Sequence, residues 1–163
     1  MFGTPYLPRV AVIGLYALAL GPRSSSAQVE LCRDAERFLE NEVGMTALAE
    51  GDTIDDWRTQ RMVPGCRVTA AGLTTRTLGR EATRFFELIR AAGWTRTPDP
   101  RDAPNEASLR FRMNEVDCLF SFYSGGILGT ESEGTVDDAV VPGPGQRRYN
   151  VLVMCMPAME AAP

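Results

Sequence analysis

The sequence predicts an α+β two-layer sandwich: an antiparallel sheet of about four to five strands with two helices packed on one face. Two segments repeat apolar residues at helical spacing, and three others alternate apolar and polar residues. Strands that follow one another through short turns pair antiparallel, and amphipathic helices need an apolar face to cover.

The first helix is residues 29–44, VELCRDAERFLENEVG. Cys32, Ala35, Leu39 and Val43 recur on one side, Leu31 and Phe38 widen the stripe, and Gly44 is a natural stop. Residues 45–65 are weakly patterned. With Asp52 or Thr53 as a cap they predict a short helix carrying Ile54, Trp57 and Met62. Pro64-Gly65 punctuates, and CRVTAAG (66–72) reads as a short strand.

Residues 79–92 are the clearest helix. Phe85, Leu88, Ile89 and Ala92 form its stripe with Phe86 beside it, Thr77 serves as a cap, Glu81 sits in the first turn and Gly93 ends it. Trp94 opens a short extended piece, and the three prolines of PDPRDAPNEA (98–107) make a loop.

Leu109, Phe111 and Met113 then alternate with Arg110 and Arg112, which face away from the apolar side; on the open sheet face they offer a site for an anion or partner, with solvation of that face the plainer expectation. Val116, Cys118, Phe120 and Phe122 share the next apolar face, and Asn114-Glu115 between the two runs has the length of a hairpin turn. Residues 124–148, rich in Gly, Pro and acids, are expected as one long loop with a short strand near 139–141. Tyr149, Val151, Val153 and Cys155 give the closing strand, and the tail frays.

Residues 1–27 have the three parts of a secretory signal peptide: Arg9 in the leading region, the apolar run VAVIGLYALAL (10–20), and Ser25-Ser26-Ala27 at the cleavage site. A spanning helix needs about 20 apolar residues, so no stable membrane span is expected after cleavage. Residues 28–163 are expected as a single domain, periplasmic or secreted.

Of the 17 basic residues, all arginine, Arg9 and Arg23 leave with the leader, and the rest face 21 acids. An acidic surface excludes nucleic acid as the expected partner. Another envelope protein or a small ligand remains. Histidine is absent, which removes Ser-His-Asp and Cys-His catalysis and imidazole-bound zinc. No cofactor is expected.

Four cysteines behind a signal peptide point to two disulfides, with three possible pairings. The preferred one is Cys32–Cys66 with Cys118–Cys155. If strand 116–123 runs antiparallel to 149–156 with Cys118 opposite Cys155, Phe120 meets Val153 and Phe122 meets Val151, so every pair is apolar on one face. No two cysteines are close in sequence, which is against a zinc site of four thiolates. Without histidine, nothing near a cysteine serves as a proton acceptor.

Asp99, Asp102, Asn105 and Glu106 offer oxygen ligands in the proline-rich loop, yet the spacing is not that of an EF-hand and such residues stabilise turns through their own backbone. Glu131, Glu133, Asp137 and Asp138 read as solvated acids in the long loop, where a catalytic carboxylate pair would lack a rigid setting. Asp55-Asp56-Trp57 invites a sugar-stacking reading, with Trp57 as a core residue the plainer one.

The expectation is a non-enzymatic, disulfide-stabilised binding or structural module. It would bind through its open sheet face or the 124–148 loop. The alternatives are a cell-envelope hydrolase using carboxylates such as Asp99, Asp102 or Glu106, and a calcium-stabilised module using the same loop.

Overall fold

The computed structural model describes residues 25–97 and 108–159. The opening helix is broken. It runs as α1 (Ser25–Glu30), α2 (Arg33–Arg37) and a π-helical turn, Phe38–Val43, which ends at Gly44 with φ +79°. The wider π turn is closed by the Gly44 N–H donating to the Leu39 carbonyl, and Phe38 and Leu39 are both buried inside it.

Residues 45–65 hold no helix. A long hairpin, β1 (Thr46–Asp56) and β2 (Arg61–Thr74), takes their place. The expected short helix is overturned because its three apolar residues support no helical face, whereas pairing along all of β1 satisfies the backbone. Its turn is fastened by Asp56, whose carbonyl accepts from the Thr59 N–H (2.9 Å). Trp57 sits on that turn and is 38% exposed, so it is not a core residue.

Next come α3 (Leu78–Ala91), β3 (Thr95–Arg96), β4 (Ser108–Met113), β5 (Val116–Tyr123), α4 (Glu131–Ala139) and β6 (Arg147–Pro157). The six strands form one antiparallel sheet in the order β1-β2-β6-β5-β4-β3, more strands than expected. Cys118 opposes Cys155, Phe120 opposes Val153 and Phe122 opposes Val151, the expected register.

One face of the sheet carries Val68, Ala70, Val151, Val153, Phe120 and Phe122, and packs beneath the π turn and α3. Phe85 of α3 is its hub, with the rings of Phe38, Phe120 and Phe122 at 5.3, 5.7 and 4.7 Å. α4 packs on the opposite face, where Val136 and Val140 cover Ala71. Helices therefore lie on both faces, and the expectation of two helices on one face is corrected by this third one.

Gly65, on β2, shows how closely the strands approach. A Cβ there would stand 2.4 Å from the Cys155 carbonyl oxygen and 2.8 Å from Ile54 Cγ1. Gly65→Ala is expected to destabilise the fold by about 1–3 kcal/mol, because one obstructing atom is backbone. A urea melt superimposing on that of the wild type would contradict the close approach.

Candidate functional site

The segment 124–148 is not one long loop. Thr130 caps α4, its hydroxyl accepting from the Glu133 N–H (3.2 Å). Glu133 is buried and takes three backbone N–H donors, from Ile127 (3.2 Å), Leu128 (2.9 Å) and Gly129 (2.8 Å). Asp137, also buried, accepts from the Asn150 amide (2.6 Å) and pairs with Arg148 (2.9 Å). Glu133 and Asp137 are thus not solvated acids, while Glu131 and Asp138 are exposed as expected.

Tyr123 lies beneath the same helix. Burial and the nearby Glu133 and Asp137 carboxylates push its phenol well above the usual range. Glu133→Ala removes the carboxylate that accepts from three amides, so it is expected to destabilise the protein by about 2–3 kcal/mol. Amide exchange should accelerate first at 127–129, and unchanged exchange there would contradict the role.

At the other end of this face, buried Arg58 bridges Asp56 (Nε to Oδ1, 2.9 Å) and Asp117 (Nη1 to Oδ2, 3.2 Å). Asp117 also accepts from Arg112 at 2.6 and 2.9 Å. Arg110 is only 1% exposed, with Nη1 against the Met156 sulfur (3.7 Å). The expectation that Arg110 and Arg112 merely solvate the sheet is therefore corrected. The 56–60 turn, through Arg58, and Met159, just past β6, cover this end of the face and bury a charge network on it.

On the main-core side, Glu81 of α3 is buried among Thr74 (2.7 Å), Arg76 (3.2 Å) and Arg84 (3.0 Å). Burial opposes its charge, but those donors outweigh it and hold the carboxyl below its ordinary range. Tyr149 is pushed up to about 12, first by burial and then by Glu81. Each of these acids is engaged in holding elements together.

Two surface clefts are lined by described residues. One, of about 410 Å³, lies between β1, β2 and α4, lined by Leu48, Glu50, Arg67, Glu131, Ser132 and Thr135. Its polar groups answer one another. Glu50 accepts from the Ser132 hydroxyl and from Arg67, and the Ser132 bond, with Arg67 behind it, keeps the Glu50 carboxyl low. This clasp ties α4 to the edge strand.

The other cleft, of about 320 Å³, lies between the π turn and the β4–β5 hairpin. Phe38, Trp94, Ala92 and Met113 make its apolar part, and Asp34, Arg37, Asn41, Glu42 and Asn114 its polar part. Two local backbone features converge here. The π turn carries Asn41 and Glu42, and Asn114 takes φ +53° at the hairpin tip. Single π turns recur at functional sites. A small apolar pocket with a few convergent polar groups is also the usual form of a ligand site. This cleft is the candidate site.

The sequence placed Phe38 in a helical stripe and Trp94 in an extended piece, with no sign that they meet. Asp99, Asp102, Asn105 and Glu106 lie outside the described residues. The cysteines are joined as expected, Cys32 to Cys66 and Cys118 to Cys155. Among the described residues, no helix is long and apolar enough to cross a membrane. Comparison with protein-family models, with curated proteins and with solved structures finds no match for this chain.

Proposed function

We propose that this disulfide-stabilised domain is a periplasmic or secreted binding module, and that it takes the cationic, partly apolar head of a small ligand or partner side chain in the cleft between the π turn and the β4–β5 hairpin. The observation that carries the reading is the make-up of that cleft: a floor to which Met113 and the largely buried rings of Phe38 and Trp94 contribute, beside the acids Asp34 and Glu42. Arg37 pairs with Asp34 (3.9 Å) and leaves Glu42 as the excess negative charge. Aromatic rings and carboxylates together favour an organic cation over an anion. The two disulfides support an oxidising compartment.

Trp57 and Trp94 are the two tryptophans, so a Trp57→Phe variant reports on the cleft through Trp94 alone. Titration with butyltrimethylammonium is expected to change Trp94 emission and to saturate in the millimolar range. Glu42→Gln should weaken that response several-fold, and butyrate should give none. No response, or an equal response to butyrate, would overturn the reading.

A hydrolase reading finds less support. The buried acids Asp56, Glu81, Asp117, Glu133 and Asp137 are each held in place by arginines, amides or hydroxyls.

A further inference from the structure

The four half-cystines sit side by side rather than as two separate staples. Cys66 and Cys155 are directly opposed across β2 and β6, and Cys118 opposes Cys155 across β5 and β6. Cys32 reaches the same place from the start of α2. The sulfurs of Cys32, Cys66 and Cys155 lie within 4.8 Å of one another, and all four cysteines are fully buried. Directly opposed residues of antiparallel strands are spaced within the range a disulfide spans. A Cys66–Cys155 bond therefore requires no shift of strand register.

We propose that the two disulfides form an exchange relay, in which opening Cys32–Cys66 moves the remaining bond inward to Cys66–Cys155 and releases Cys118. An external dithiol first reduces Cys32–Cys66, becoming oxidised itself and leaving two thiols. The Cys66 thiolate then attacks the Cys155 sulfur. The Cys66–Cys155 bond forms and the Cys118–Cys155 bond breaks. Cys118 leaves as a thiolate and takes up the proton that Cys66 lost. The second step consumes no oxidant or reductant, and one disulfide is present before and after it.

Access for the first step comes from the chain's opening helices. Cys32 is buried, so the reductant reaches its sulfur when the short helices α1 and α2 open locally from the sheet. The outcome is asymmetric. The sheet keeps a cross-strand bond throughout, while α2 and the π turn lose their covalent tie to β2. Asp34, Phe38 and Glu42 all follow Cys32 within ten residues, so the wall of the candidate cleft is the part released. The relay itself does not depend on what that cleft binds.

Peptide mapping by mass spectrometry tests this. In a Cys32→Ser variant, trapped with N-ethylmaleimide under acid quench, Cys66 is free from the outset. The expected result is a Cys66–Cys155 peptide with alkylated Cys118. It should stand within roughly tenfold of the Cys118–Cys155 form, because both bonds join directly opposed strand residues. Circular dichroism reports whether the variant is folded. A folded variant holding only Cys118–Cys155, with Cys66 alkylated, overturns the relay.

Wild-type protein treated with limiting dithiothreitol gives the same reading without a substitution. A one-disulfide fraction containing Cys66–Cys155 supports the relay. One containing only Cys118–Cys155, or only Cys32–Cys66, overturns it.

Discussion

Asp117→Asn is expected to destabilise the protein by about 3–5 kcal/mol, the range for breaking a buried ion pair by removing one partner. The side chain is fully buried in β5 and holds Arg58, Arg112 and the Met159 N–H at once. The substitution keeps the shape and removes the charge, leaving the Arg58 guanidinium buried with Asp56 as its carboxylate partner. Urea denaturation measures the loss. A drop in Tm on the order of 15 °C is the thermal counterpart for a domain of this size. Adding Arg58→Met should recover part of the loss, because it withdraws the buried cation. A double variant no better than the single would contradict the charge argument.

The same site sets a pH dependence. Burial raises the Asp117 carboxyl, but Arg112, Arg58 and the Met159 amide lower it by more, so its folded pKa lies below the ordinary value. A carboxyl lowered on folding contributes fully above its unfolded pKa, near 4, and loses that contribution as the pH falls through the folded value. Glu81 is lowered too and acts in the same direction. Wild-type stability should therefore fall below about pH 4, and less of that fall should remain in Asp117→Asn. An equally steep acid limb in the variant would locate the dependence elsewhere.

What the sequence disclosed and what it hid follow one physical line. The hairpin of β4 and β5, and the register of β5 on β6, were legible because Phe120, Phe122, Val151 and Val153 alternate strictly with other residues, and a one-residue slip would turn every one of them outward. α3 was legible because its apolar stripe is continuous and buried. α4 was hidden because the residues it buries include Glu133 and Asp137 beside Val136, so a buried helix reads as an acidic loop. The edge strand β1 was hidden for a related reason. Charged residues such as Glu50, Asp52 and Asp55 suit an edge that must not pair further, and they lower any strand signal. The candidate cleft was not legible at all: Phe38 and Trp94 carry the signature of core residues, and a π turn leaves no mark in composition.

Cys118→Ala with Cys155→Ala is expected to destabilise the protein by about 4 kcal/mol, the chain-entropy value for a closed loop of this length. The bond joins residues separated by 37 positions. The enclosed segment contains α4 and the 140–146 stretch, so the unfolded chain regains a long loop when the bond is absent. The folded sheet loses little else. The strands remain paired from Val116 to Tyr123, and Cys32–Cys66 still ties α2 to β2.

The effect therefore resides mainly in the unfolded state, which gives the measurement a second signature. The urea m-value should rise as well as the midpoint fall, because a chain without that loop exposes more surface on unfolding. A lowered midpoint with an unchanged m-value would mean that the bond acts through native packing around Cys118 and Cys155. A midpoint within experimental error of the wild type would mean that the unfolded chain already holds β5 near β6 without the bond.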